Sequence, residues 1–447
     1  MPTQFDAIII GTGQSGVPLA SRLAQAGQKV AVIERGRFGG TCVNTGCIPT
    51  KTWVASARAA YVARRGQDLG LMIDGGFRVD MKRVKARKDG ITGQSRTSIE
   101  KTLTETSNIS LYRGHARFSS DYEVRVGADT LTAKQIFINV GARAAIPHID
   151  GLEKIPYLTN SSILEIDFVP KKLLVVGGSY IGLEFGQMFR RFGSEVTILE
   201  RGPRVMGRED PDVSDGIRDI LMNEGINIEL NQEHIEISNA ADQQVLIATG
   251  RKPNTDDLGL ENTSIKMDKH GYIEVNDELE ASAPGIWAVG DCNGKGAFTH
   301  TSYNDFEIVA GNLLDNEKRR VSDRITAYNV YIDPPLGRIG MTEQEVRRSG
   351  LKALIGKREM TKVGRAVEKG ETQGFMKVLI DQESEQILGA AILGTGGDEA
   401  IHCVLDVMYT KAPYKVLQRA VNIHPTVSEL IPTTLGNLKP LAESGHH

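Results

Sequence analysis

Two segments of this chain repeat one order of strand, glycine loop, helix, strand and acid, and that repetition narrows the fold more than any other feature. In the first, Phe5 to Ile10 reads as a short buried strand, followed by Gly11-Thr-Gly13-Gln-Ser15-Gly16 and a helical stretch to Gly27. A strand from Lys29 to Ile33 then ends at Glu34. In the second, the strand Lys172 to Val176 leads into Gly177-Gly178-Ser179-Tyr180-Ile181-Gly182 and a helix to Phe192. The strand Glu195 to Leu199 then ends at Glu200, the same offset from the first glycine. This is the order of a dinucleotide-binding βαβ unit. The first glycine permits a tight turn, the second lets backbone approach a pyrophosphate, and the third lets the helix lie close to the strand. The helix N-terminus offers free N–H groups to phosphates. Glu34 and Glu200 can accept hydrogen bonds from a ribose diol. One such loop is a weak signal, but two with the acid in register are a strong one. In the second copy Ser179 replaces the middle glycine, and the bulky Tyr180 is either a packing residue or a lid over a ring system. The pairing that makes chemical sense is FAD with NAD(P)H, one held and the other admitted to its face.

The run Gly39-Gly40-Thr41-Cys42-Val43-Asn44-Thr45-Gly46-Cys47-Ile48-Pro49-Thr50-Lys51 follows the first acid. Pro49 suits the first turn of an alanine-rich helix expected from Thr50 to Arg65. Cys47 is then expected just before a helix N-terminus, where a thiolate is stabilised. A static disulfide or two core thiols are the bland alternatives. Zinc would need a second Cys/His pair with ligand spacing, which the sequence lacks. Beside a flavin-binding loop, a reversible disulfide is the economical reading. Cys292 and Cys403 are isolated and read as small buried hydrophobes.

Composition bounds the rest. A chain of 447 residues with 40% hydrophobic content exceeds one core, and three domains are expected. With 53 basic and 56 acidic residues the charge is nearly balanced, which argues against a nucleic-acid partner. The basic run Lys82, Arg83, Lys85, Arg87, Lys88 is read as a solvated helix face. No stretch approaches the ~20 apolar residues of a membrane span, and no secretory leader is visible. Four cysteines make no disulfide scaffold, so a reducing, cytoplasmic setting is expected. The end, Ser444-Gly-His446-His447, resembles the stub of an expression tag.

The run from Gly39 to Lys51 resembles the active-site signature of the class I pyridine nucleotide–disulfide oxidoreductases. That family includes glutathione reductase, dihydrolipoamide dehydrogenase and mercuric reductase. The resemblance covers nearly the whole chain. Ala248-Thr-Gly250-Arg-Lys-Pro253-Asn254 resembles the segment closing the family's nicotinamide domain. Ala288-Val-Gly290-Asp291 resembles its second FAD motif, and His424-Pro425-Thr-Val-Ser-Glu429 its C-terminal His–Glu motif. The resemblance implies an FAD site of Gly11, Gly13, Ser15, Gly16, Glu34, Arg35, Gly40, Thr41, Lys51, Gly141 and Asp291. It implies a nicotinamide site of Gly177, Gly178, Tyr180, Ile181, Gly182, Glu200, Arg201 and Gly250. Cys47 is implied as the thiol nearest the flavin, Cys42 as the interchange thiol, and Lys51 as a flavin neighbour paired with Glu184. His424 is implied as the acid–base for Cys42, oriented by Glu429 and acting on the cysteines of a second subunit in a homodimer.

The fold class implied is α/β: two Rossmann-like domains, for FAD and NAD(P), plus a C-terminal α+β dimerisation domain. The expected segments are 1–150 and 255–325 for FAD, 151–254 for NAD(P), and 326–447 for the interface, with a meander over 111–140. Interface strands are expected at Phe375–Ile380 and Ile387–Leu393, with helices around Ala400–Tyr409 and Lys415–Ala420. The stretch from Ile228 to Gly250 is short for the small meander usual in the family. A trimmed meander bares a strand edge, so a loop dropped from the numbering is expected rather than a true deletion. NADH is favoured by Glu200, with Arg201 and Arg204 close enough for NADPH. The acceptor is expected to be a small disulfide or a metal ion, in a mercuric-reductase-like or dihydrolipoamide-dehydrogenase-like branch. The alternatives are dihydrolipoamide dehydrogenase itself, a diaphorase or quinone reductase bypassing the cysteines, and a non-enzymatic redox-responsive FAD protein.

Overall fold

The computed structural model describes residues 1–235 and 242–442. Its first sheet is wholly parallel. Ala7–Ile10 lies between Val30–Glu34 and Gln135–Ile138, and Ile109–Arg113 and Ile286–Ala288 form the edges. Ala-Ile-Ile-Ile is buried along its whole length, as a central strand covered on both faces requires. The second parallel sheet runs Asn227–Glu229, Glu195–Leu199, Lys172–Val176, Gln243–Ile247. The third sheet is antiparallel: Ala327–Val330, Leu336–Gly340, Ile387–Leu393, Phe375–Asp381, Ala353–Glu359 and Lys439–Pro440.

The two glycine loops fold alike because their third glycines do the same work. A Cβ on Gly16 would lie 2.3 Å from the Gly11 carbonyl oxygen, and one on Gly182 would lie 2.0 Å from that of Gly177. Any other residue would push helix Gly16–Gln25 or Tyr180–Phe192 off its strand. Trp53, on helix Cys47–Arg64, is fully buried edge-on to Phe189 and Phe192 of Tyr180–Phe192. Truncating a core tryptophan costs about 3–5 kcal/mol, so this contact is a main fastening between the two helices.

Several expectations need correcting. The meander spans only Ala116–Ser120, Glu123–Val126 and Asp129–Thr132; its expected flanks, Ile109–Arg113 and Gln135–Ile138, pair into the parallel sheet. Gln135–Ile138 is apolar and buried, as a strand covered on both faces requires, and Ile109–Arg113 is the half-buried edge of the same sheet. The basic run is not one solvated face. Lys88 is 2% exposed, and its Nζ donates to the Leu164 carbonyl at 2.9 Å and pairs with Asp89. Cys403 is only half-buried, whereas Cys292 is fully buried and its thiol is pushed up to about 12 by desolvation. Helices Gly397–Ala400 with His402–Thr410, and Lys415–Gln418, fall where they are expected, and a further helix, Leu430–Leu435, follows them. The connection from Asn227–Glu229 to Gln243–Ile247 passes through 236–241, outside the described residues, and the expected missing loop falls there. The tag-like end also lies outside them. No helix among the described residues is long and apolar enough to cross a membrane.

Candidate active site

A cavity of about 790 Å³ begins at the first glycine loop and ends at the cysteine pair. Gly11, Gly13, Glu34, Arg35, Gly40, Thr41, Gly141 and Asp291 line it, together with Cys42, Cys47, Lys51, Tyr180, Ile181 and Glu184. Ser15 and Gly16 do not. The Ser15 hydroxyl is fully buried and bonds to Ser302, fixing the loop from behind. Gly177, Gly178, Gly182, Glu200, Arg201 and Gly250 stand off this wall, as do His424 and Glu429.

Each acid closes its own loop. Glu34 accepts from the Thr12 N–H at 3.0 Å, the Thr12 hydroxyl at 2.6 Å and the Gly36 N–H at 2.7 Å. Glu200 accepts from the Gly178 N–H at 2.6 Å and the Gly202 N–H at 2.7 Å. An ionised carboxylate has about four acceptor sites, so Glu200 retains capacity for a diol and Glu34 for a single further donor.

Cys42 lies on the short helix Gly40–Asn44. Cys47 is the first residue of Cys47–Arg64 rather than preceding it; Pro49 sits inside the first turn, where its missing N–H leaves no bond unmade. Both cysteines are free thiols. The hydrogen bond from Cys42 chiefly holds Cys47 down at about 6, against the opposing effect of burial. The Thr299 hydroxyl, 3.1 Å from the Cys47 sulfur, and the Lys51 charge add to this. The same contact with Cys47, and burial, push Cys42 far up. These contacts favour the proton on Cys42 and the negative charge on Cys47.

Lys51 Nζ lies 2.6 Å from Glu184 Oε2, and Glu184 is almost fully buried. Burial also raises Asp291, which accepts from Arg251 at 3.2 Å. Tyr180 begins its helix, and its ring lies 5.7 Å from that of Phe298. Phe298 stacks on both Tyr328 and His300. His424 Nδ1 lies 3.0 Å from Glu429 Oε2 on the surface, and the preceding Val421 and Ile423 are fully or largely exposed. The sequence reading missed Thr299, Phe298, Tyr328 and Tyr331. The first two follow the Asp291 motif closely, but nothing in their spacing marks them.

The cavity fits an FAD. Its volume suits a cofactor. Three buried guanidinium nitrogens on its wall, Arg251 Nε, Arg324 Nη1 and Arg338 Nη1, have no partner among the described residues, as expected where an acceptor-rich ligand completes the site. A dinucleotide cavity ending at a thiol–thiolate pair, beside a second dinucleotide unit, defines a flavin-dependent disulfide oxidoreductase.

Residues 5–305 match the pyridine nucleotide-disulphide oxidoreductases, and residues 326–435 match the dimerisation domain of the same family. The chain is 36% identical to the probable pyridine nucleotide-disulfide oxidoreductase RclA of Escherichia coli, over 95% of this chain and 97% of that protein. It is 33% identical to a mercuric reductase of Staphylococcus aureus, over 89% of this chain and 76% of that one. The solved Cu(II) complex of the HOCl-induced flavoprotein disulfide reductase RclA from E. coli aligns with a TM-score of 0.87 at 35% identity, over 96% of this chain and 99% of that one. The chain belongs to the pyridine nucleotide–disulfide oxidoreductase family and is an FAD-dependent NAD(P)H oxidoreductase. It carries the family's dimerisation domain.

Proposed function

We propose that this enzyme uses NADH to reduce the Cys42–Cys47 disulfide, and that Cys42 passes the electrons to a small disulfide or a metal ion such as Cu(II). The observation that carries this is the placement of both cysteines on the wall of one cavity, with the Thr299 hydroxyl 3.1 Å from the Cys47 sulfur and Lys51 lining the same wall. When bound, FAD supplies hydride acceptance from the nicotinamide and two-electron delivery to sulfur. As the S–S bond breaks, Cys47 keeps the negative charge, stabilised by Thr299 and Lys51. Cys42 takes a proton from the partner subunit's His424, whose tautomer is set by Glu429. In the oxidative half, Cys42 returns that proton and attacks an external disulfide, releasing one thiol. Cys47 then attacks Cys42 of the mixed disulfide, releasing the second thiol and restoring the pair. The surface position of His424, just after exposed Val421 and Ile423, suits a loop that serves the other subunit's site.

Residues 1–150 and 255–325 are assigned to FAD, 151–254 to the nicotinamide, and 326–447 to the interface. Glu200 ends its strand where a 2′-phosphate would sit, which supports NADH. The cavity end is lined by Cys42 and Cys47, which supports an acceptor that meets sulfur rather than the diaphorase route.

The test is an anaerobic NADH titration followed by a screen of lipoamide, glutathione disulfide, cupric and mercuric ions, and quinones. One equivalent of NADH should place two electrons on the thiols and produce a long-wavelength thiolate–flavin band. A bleached flavin with an untouched disulfide supports the diaphorase instead. Negligible turnover with every acceptor supports a non-enzymatic redox-responsive protein.

A further inference from the structure

Residues 331–333, which leave the antiparallel sheet after Ala327–Val330, are threaded between two helices that carry active-site side chains. Helix Tyr180–Phe192 pins their backbone. The Tyr331 N–H donates to Glu184 Oε1 at 2.9 Å, and the Asp333 N–H donates to Gln187 Oε1 at 2.8 Å. Gln187 Nε2 returns a bond to the Asp333 carbonyl at 2.7 Å. Helix Cys47–Arg64 reaches their side chains, and Arg191 of the other helix shares the Asp333 carboxylate. Arg58 donates to the Asp333 carboxylate at 2.8 Å, and Lys51 Nζ stands 4.6 Å from the centre of the Tyr331 ring. Lys51 and Arg58 are two turns apart on one helix, and Glu184 and Gln187 one turn apart on the other. Each pair therefore shares a face, and residues 331–333 lie where the two faces converge.

The Lys51 ammonium thus has two neighbours of different kinds. Glu184 Oε2 at 2.6 Å supplies the opposite charge. The Tyr331 ring supplies the negative face of its quadrupole, which attracts a cation within about 6 Å. Glu184 is itself bonded to the Tyr331 backbone, so one residue braces both members of the ion pair. Tyr331 also lines the cavity.

The geometry points to Tyr331 as a positioning residue: its ring face holds the Lys51 ammonium at the cysteine end of the cavity, so the C-terminal sheet sets the electrostatics of its own chain's cysteine pair. The inference rests on the reading of Cys47 as the thiolate of the pair. The titratable and charged groups facing Cys47 are Cys42, Lys51 and Tyr180, alongside the Thr299 hydroxyl. Lys51 is the cation among them. With the ring face gone, the ammonium is free to turn toward solvent while keeping Glu184, and its pull on the Cys47 sulfur weakens.

The test uses the full-length, FAD-loaded, reduced protein, with phenylalanine and its mono-, di- and trifluorinated forms placed at position 331 by nonsense suppression. These rings keep nearly the same shape while fluorine removes the negative face. The Cys47 thiolate is followed against pH by its long-wavelength absorbance with the flavin. Phenylalanine should reproduce the natural profile. Each fluorine should move the midpoint upward, and that absorbance at pH 6 should fall about three- to tenfold by the trifluorinated ring. Tyr331→Leu should match or exceed that loss. A profile flat across the fluorine series overturns the proposal, as does Tyr331→Leu keeping the natural profile. If Tyr331→Leu does not fold, the isosteric series decides. A natural protein whose Cys47 shows no thiolate near pH 6 overturns the underlying reading as well, so the two failures are distinguishable.

Discussion

The Cys47 sulfur lies 3.1 Å from the Thr299 hydroxyl, and each residue is the first of a long helix. Cys47 opens Cys47–Arg64, and Thr299 opens Thr299–Leu314. Two helix N-termini, each with unpaired N–H groups and partial positive charge, therefore converge on one sulfur. Thr299→Val keeps the shape and removes the hydroxyl. A hydrogen bond to a charged group is worth about 1.5–3 kcal/mol, which corresponds to roughly one pKa unit or more. The Cys47 midpoint, read from thiolate absorbance of the reduced enzyme, should rise by about that much. Thr299→Ser should leave it in place.

The same pair gives reduced-enzyme stability a pH dependence of known sign. Cys47 is depressed from its ordinary value of 9.0 to about 6 in the folded protein. Between these values the unfolded chain holds a proton that the folded one has lost, so stability climbs with pH across that window. The contribution is fully present above the unfolded value and is lost as pH falls through about 6. Thermal melts of the reduced protein from pH 5 to 9 should show this rise. Cys47→Ser should flatten it, and a slope unchanged by that substitution would count against the thiolate.

Lys51 and Glu184 were legible in the sequence only through the resemblance, because no local pattern joins a residue on one helix to a residue so far along the chain. The structure puts Nζ and Oε2 2.6 Å apart with Glu184 only 4% exposed. Removing one partner of a buried pair leaves an uncompensated charge, at about 3–5 kcal/mol when both are buried. Lys51 is one-third exposed, so water softens that cost. Lys51→Met should lower stability by about 2 kcal/mol, measured by denaturant unfolding. Glu184→Gln, which keeps the acceptor for the Tyr331 N–H, should cost less.

The parallel cores were readable because their periodicities are local. Ala7–Ile10 and Lys172–Val176 are short apolar runs closed by glycine, and each is followed by an acid. The meander edges were misplaced because Ile109–Arg113 and Gln135–Ile138 have the same short apolar look whether a neighbour pairs parallel or antiparallel. Lys88 was misjudged because a lysine's burial depends on what lies across from it, here the Leu164 carbonyl. Tyr331 and Phe298 carry no motif; their importance comes from three-dimensional neighbours, Lys51 and Tyr180.

The proposed sharing of sites between subunits has a stoichiometric signature. His424 is 79% exposed and bonded to Glu429, and neither residue reaches the cavity of its own chain. In a mixed dimer of Cys42→Ser and His424→Ala chains, one site combines an intact Cys42 with the partner subunit's intact His424, and the other site lacks both. Random reassortment should therefore restore about a quarter of natural disulfide-reductase activity, although each homodimer is nearly inactive. No recovery after verified reassortment would place His424 outside the partner's site.

The proposed preference for NADH turns on a carboxylate that already has a structural task. Glu200 holds the glycine loop through the Gly178 N–H and the following turn through the Gly202 N–H. A ribose diol can donate to its spare lone pairs, whereas a 2′-phosphate brings negative charge against negative charge. NADH should therefore have the higher kcat/KM. Glu200→Gln keeps acceptor capacity through its carbonyl and removes the charge, so it should lose most of the discrimination, about tenfold, with Arg201 and Arg204 close by in sequence to receive a phosphate. The change should fall in KM for NADPH rather than in kcat, because the adenosine end is remote from the hydride. A natural enzyme that prefers NADPH several-fold, or a Glu200→Gln enzyme with the original preference, would show that the acid serves only to clasp its loop.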